Sequence, residues 1–277
     1  LISKILIIVL KRRTRMPPPL KSDEVKEEEE INDDDDDNSS VFLSLNPITN
    51  SSGSAFIQLG DGRTTTKIFV SVFGPKKTTS RAQDERVSKL RGTLDVSVTL
   101  ASFAFKSLES SSRNIKDIEM DLTEKLTKCL RGVVVLESFP KAVVEVRCAI
   151  ADANGDELRG LVLATSSALM HARVEVRDIL CACTAVIEED GEVRLVEDYT
   201  NTNDAKSKSS KNSGGRKKTS SARKAVGAVT VAYMPRVKKV TNILSVGRWG
   251  NANNLKKAEE LAMQGCEEVA EVIKAAF

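Results

Sequence analysis

Two hydrophobic periods alternate along most of this chain. Gly53 to Gly60 (GSAFIQLG) and Thr64 to Phe73 (TTTKIFVSVF) alternate apolar and polar positions, which predicts two half-buried strands. Asp61-Gly62 between them is hairpin chemistry, and Gly74-Pro75 is expected to end the second strand. Gly92 to Phe105 predicts a third strand, with Leu94, Val96, Val98 and Leu100 on one face. Asn114 to Leu130 changes to the helical period. Ile115, Ile118, Leu122, Leu126, Cys129 and Leu130 recur at three and four, and Gly132 ends the helix.

Val143 to Ile150 returns to period two, with Val144, Val146 and Cys148 opposite Glu145 and Arg147. Asp152 to Gly155 supplies a turn, and Asp156 is placed to cap the next helix with its carboxylate. That helix, Glu157 to about Met170, is apolar or small almost all round, so it must be covered on most sides. Strands are then expected at Ile179 to Ile187, Val193 to Val196, Val226 to Met234 and Val240 to Val246, the last two as a hairpin. Asn254 to Ala276 predicts a long amphipathic helix with Leu255, Ala258, Leu261, Ala262, Val269 and Ile273 inward. The order is three strands, helix, strand, helix, four strands, helix. It predicts an α+β fold, a mixed and antiparallel sheet packed with helices on its faces.

Composition adds the outline. Only 4% of the 277 residues are aromatic, so the core must be built mainly from Val, Leu, Ile and Ala. The five cysteines sit singly in apolar segments, which points to reduced, buried thiols and an intracellular protein. Cys181 and Cys183 fall on one strand face, and His171 is the only histidine, so core packing outweighs a metal site. No cofactor or metal is expected.

Charge is uneven. Asp23 to Asp37 holds eleven carboxylates against Lys26 alone, while residues 38–277 carry a net of +7. Pro17 to Ser40 is expected to be disordered by like-charge repulsion, and residues 1–51 are read as a tail preceding a folded domain at 52–277. Leu1 to Leu10 is too short to span a bilayer, and its basic residues follow rather than precede it, unlike a signal peptide. Met16 is the expected natural start, with residues 1–15 outside the natural chain. No membrane association is expected. Thr200 to Lys224 has no apolar periodicity and reads as a flexible insertion. The run after the second strand (Lys76, Lys77, Arg81, Arg86, Lys89, Arg91) is polar and basic, and a mildly basic body is compatible with nucleic acid. No basic segment is interleaved with aromatics, so base stacking is not expected.

The segments GSAFIQLGDGRTTTKIFVSVFGP, FPKAVVEVRCAIADANGDELRGLVLATSSAL and AVTVAYMPRVKKVTNILSVGRWG, followed by AEELAMQGCEEVAEVI, resemble the ribonuclease PH-like family from about Ser52 to the end. Within it they look most like a catalytically silent ring subunit of the eukaryotic RNA exosome. The resemblance implies a six-membered ring with a central channel for single-stranded RNA, in which Lys76, Lys77, Arg81, Arg86, Lys89 and Arg91 either hold RNA phosphates or form an ordinary solvated loop. It implies other ribonuclease PH-like ring subunits and exosome cap proteins as partners, and a place in nucleus, nucleolus and cytoplasm. Active relatives cleave RNA from its 3′ end with inorganic phosphate. They use a Thr-Arg pair at the start of the central helix and carboxylates on the late strands. Here the pair falls on Glu157 and Leu158, with Arg159 one residue late and rotated by ~100°. The late aspartate falls on or near Ala228, and Asp198 stands nearby without partners. No catalytic residue is expected. An active phosphorolytic exoribonuclease, another inactive ring subunit and an unrelated α+β protein remain the alternatives.

Overall fold

The computed structural model describes residues 41–60, 65–77, 91–104, 115–188, 190–195 and 225–276. Among them run nine strands and three α-helices: β1 (Val41–Leu45), β2 (Gly53–Leu59), β3 (Thr66–Lys76), β4 (Thr93–Leu100), α1 (Ile115–Arg131), β5 (Val143–Asp152), α2 (Glu157–His171), β6 (Cys181–Glu188), β7 (Val193–Leu195), β8 (Ala225–Met234), β9 (Lys239–Gly247) and α3 (Ala252–Ala276). The first sheet has the order β1-β2-β3-β5-β4 and the second β7-β6-β8-β9. Only β4 and β5 pair in parallel; every other pairing is antiparallel. The fold is α+β, as the periodicities predict.

The alternation decides which side of the first sheet is covered. Ile57, Ile68, Val70, Val72, Val144, Val146, Cys148 and Ile150 are buried on one side. That side packs on α2, which touches β2 and β3 on one flank and β6 on the other. A helix clasped between two sheets has no solvated stripe, and the residues from Leu158 to Leu169 are all buried. Its buried hydroxyls are satisfied locally: Ser167 Oγ donates to the Leu163 carbonyl at 2.9 Å, and Ser166 Oγ accepts from the Leu180 N–H at 3.0 Å. Two glycines permit this close fit. A Cβ on Gly53 would fall on the backbone of Ala168 and Ala172, and one on Gly160 would meet Ile68 Cδ1 at 2.7 Å. Outside the second sheet, α3 lays its small residues Ala258, Ala262, Cys266 and Ala270 against β6 and β8.

Four expectations change. Val41–Leu45, assigned to the tail, is a strand that pairs with β2, so the folded part begins before position 52. β3 does not end at Gly74-Pro75. An irregularity between Phe73 and Lys76 lets the strand pass the proline and re-pair Lys76 with Val143. Ile115 is 38% exposed, because it opens α1 about two turns before Leu122, the first residue buried against β4. Asp156 makes no capping bond. The expected hairpin turn at Asp61-Gly62, the stretch Pro17 to Ser40 and the 200–224 insertion lie outside the described residues. Among the described residues no helix is long and apolar enough to cross a membrane.

Candidate phosphate site and RNA-facing residues

β5 delivers the chain to the start of α2 through Asn154-Gly155, where Gly155 takes φ +99°. Asp156 then turns inward and is 9% exposed. Its carboxylate accepts from Thr184 Oγ1 at 3.2 Å and from Arg159 Nη1 at 3.0 Å. These partners hold both oxygens away from the free N–H groups of the helix, which is why the cap is absent. Thr184 also shares a hydrogen bond with Thr230 at 3.0 Å, tying the site to β8.

The two positions on which the sequence resemblance places a Thr-Arg pair are Glu157 and Leu158. Glu157 keeps its carboxylate in the first turn, where Oε1 accepts from the Gly155 N–H at 2.7 Å. Burial pushes this carboxyl above its ordinary range. Leu158 is 8% exposed and belongs to the core. Arg159 is 7% exposed and faces Asp156, with Cys183 and Cys266 close by. A helix N-terminus favours an anion through its dipole, but here the protein's own carboxylate stands there. Ala228 lies in β8 between Val186 and Val246 and offers no ionisable group. Asp198 lies outside the described residues. Among the described residues no three His, Cys, Asp or Glu side chains cluster to hold a metal.

Of the six basic candidates, Arg81, Arg86 and Lys89 lie outside the described residues. Lys76 and Thr93 both pair with Val143, so the segment between them leaves and re-enters on either side of the first residue of β5. Lys76, Lys77 and Arg91 therefore gather at one end of the sheet. Lys76 Nζ is bound to Glu145 at 2.9 Å and Arg91 Nε to Glu137 at 3.2 Å, while Lys77 is exposed. The α2 N-terminus lies beyond the other end of β5, roughly 30 Å away for ten residues at about 3.3 Å each. The two candidate sites are separate.

One group escaped sequence reasoning. Phe42, Phe56 and Phe69 come from three successive strands and meet on the outer face of the first sheet. The rings of Phe42 and Phe56 are 6.0 Å apart and those of Phe56 and Phe69 4.5 Å. Further along β3, the Arg147 guanidinium stands 5.8 Å from the centre of the Phe73 ring. The available signal was phase: each of these phenylalanines occupies a polar position in its strand's alternation.

Residues 39–175 match the family model described as 3′ exoribonuclease family, domain 1. An Arabidopsis thaliana protein named exosome complex component RRP41-like is 23% identical over 232 residues, covering 84% of this chain and 77% of that protein. The human exosome complex component MTR3 is 24% identical over 242 residues, covering 84% and 80%. Rice Rrp46 shares the fold with a TM-score of 0.62 at 16% identity, over 85% of this chain and 93% of that one. An Archaeoglobus fulgidus exosome structure with RNA bound at its active site matches with a TM-score of 0.59 at 17% identity, over 84% and 87%. The fold is the ribonuclease PH-like one.

Proposed function

We propose that this chain, a ribonuclease PH-like protein whose relatives are exosome components, is a non-catalytic subunit of an RNA exosome ring, most similar in role to MTR3. It helps build the channel that passes single-stranded RNA for 3′-to-5′ processing and decay, including rRNA maturation and turnover of mRNA and non-coding RNA. Its partners are the other ribonuclease PH-like ring subunits and the exosome cap proteins. Its place is nucleus, nucleolus and cytoplasm.

The observation that carries the reading is the first turn of α2. Phosphorolysis needs a cation and a hydroxyl there to hold inorganic phosphate. This turn presents Glu157 and buries Leu158, and its nearest cation, Arg159, is bound to Asp156 inside the protein. The late aspartate position, which the resemblance puts on or near Ala228, supports the same reading.

The test is affinity purification of the tagged native protein, with mass spectrometry and a phosphate-dependent RNA decay assay on one eluate. Co-elution with a set of exosome proteins is expected, with no phosphate-dependent trimming by this chain alone. Trimming that requires phosphate and survives purification to homogeneity would overturn it. That outcome would favour an active phosphorolytic exoribonuclease, the second reading, which the family description 3′ exoribonuclease supports. A different inactive ring position would show in which neighbours cross-link to this chain.

A further inference from the structure

The outer face of the first sheet carries residues that strand alternation normally makes polar. Four of the protein's eight phenylalanines stand there, on a face that no described helix covers. Phe69 is 37% exposed although the strand beneath it belongs to the core. Such a row does nothing for the core, since the opposite faces of β2 and β3 already fill it. It is also flanked by cations. Lys67 stands two residues before Phe69 on β3, and Arg147 lies opposite Ser71 on β5, with its side chain 64% exposed. Lys76 follows at the end of β3, 47% exposed, and continues to Lys77 and Arg91. The polar groups between the rings, Ser54, Ser71 and Gln58, are uncharged.

Rings in a row with cations beside them match one ligand better than others. Every base has a π-face, so successive bases stack on aromatic side chains without regard to sequence, while the phosphates between them need positive charge. A guanidinium held over a ring extends that stacking surface. Three carboxylates lie within reach of these cations, and Asp152 pairs with Lys67 across the β3–β5 ladder while accepting from Thr65 Oγ1 at 3.2 Å. Glu145 is bound by Lys76 at 2.9 Å and by Arg147 at 3.2 Å, and Asp95 lies opposite Glu145 on the far edge strand. A chain of phosphates reaching Lys76 and Arg147 must therefore compete with Glu145.

We propose that this face is a platform for single-stranded RNA, with bases stacked on Phe56, Phe69 and the Phe73–Arg147 pair and phosphates held by Lys67 and Lys76. It rests on the RNA-handling part of the proposed function and not on ring membership. The surface lies on the outer face of β1, β2, β3 and β5, opposite the face that packs on α2, so it retains RNA rather than cutting it.

The experiment is fluorescence anisotropy of the full-length chain with a labelled oligouridylate of about 12 nucleotides. Alongside it, 4-thiouridine photo-cross-linking of the wild type is followed by peptide mass spectrometry. Phe56→Leu with Phe69→Leu keeps the apolar volume and removes the rings. It is expected to weaken binding at least about tenfold with an unchanged salt slope. Lys67→Gln is expected to weaken binding and lower the slope by about one. Glu145→Gln, which releases two cations, is expected to tighten it. Cross-links are expected in the β2 and β3 peptides. Wild-type affinity in the double leucine variant, or cross-links confined to the lysine-rich 206–224 segment, overturns the proposal. A double variant that binds RNA normally but no longer co-purifies with ring subunits assigns the face to a protein neighbour, and also overturns it. Failure of the wild type to co-purify, with the platform results intact, sinks the ring reading alone.

Discussion

Asp156 and Arg159 form an ion pair with side chains only 11% and 9% exposed. Taking two charges from water is costly, and the mutual attraction offsets this only while both are present. Asp156→Asn leaves the guanidinium buried without its counter-charge. It is expected to destabilise the fold by about 3 kcal/mol in urea titration. Asp156→Asn with Arg159→Met should recover most of that loss, and neither variant should gain phosphorolysis. The three-residue spacing of Asp156 and Arg159 is local, but the second partner of Asp156 was not readable, because Thr184 is twenty-eight residues away and meets it only through β6.

Glu145 gives a pH-dependent counterpart. The hydrogen bond from Lys76, with Arg147 in support, holds its carboxyl below the ordinary range, against a smaller opposing effect of burial. A folded value below the unfolded one, near 4.3, means the interaction stabilises the protein above that pH and fades as pH falls through the folded value. Glu145→Gln should therefore lower stability at pH 7 and flatten the stability profile below about pH 4.3. Thermal unfolding across pH 3 to 7 measures it, and a mutant profile parallel to wild type would rule it out.

At the scale of elements, β4 shows how an exposed edge is closed. Its outer N–H groups face α1 rather than another strand: Leu100 N–H donates to Glu119 Oε1 at 2.8 Å and Val98 N–H to Thr123 Oγ1 at 3.1 Å. Side chains from a helix thus block strand addition at this edge. Thr123→Val keeps the shape and removes the acceptor, leaving a buried N–H unpaired. A cost of about 1–2 kcal/mol is expected, with faster hydrogen exchange at the Val98 amide. Unchanged exchange there would refute the role. The α1 pattern was readable from Leu122, Leu126 and Leu130, all buried. Its polar side was not, because Glu119 and Thr123 resemble any solvated helix face until β4 is placed beside them. β1 was missed for a related reason: VFLSL contributes one buried residue, Leu43, and pairs only with a strand downstream. The phenylalanine row is the extreme case. Its members lie up to thirty-one positions apart, so only the β1–β2–β3 register makes them one surface.

Across the whole molecule, α2 is the part that both sheets share. The first sheet packs on it through β2 and β3 and the second through β6, so neither sheet keeps its apolar face covered if α2 leaves. This was legible in the sequence, since a helix apolar all round requires cover on all sides. The consequence concerns cooperativity. Leu161 and Leu169 are fully buried, and truncating either opens a cavity against both sheets. Leu161→Ala is expected to cost about 2–5 kcal/mol. The loss should shift one transition, seen together by far-ultraviolet circular dichroism and by Trp249 fluorescence in the segment before α3. An independent second sheet would give a different result: the Trp249 signal would hold while the circular dichroism moved. Coincident transitions would show that the ribonuclease PH-like fold is stabilised here from its centre, by the one helix that both sheets share.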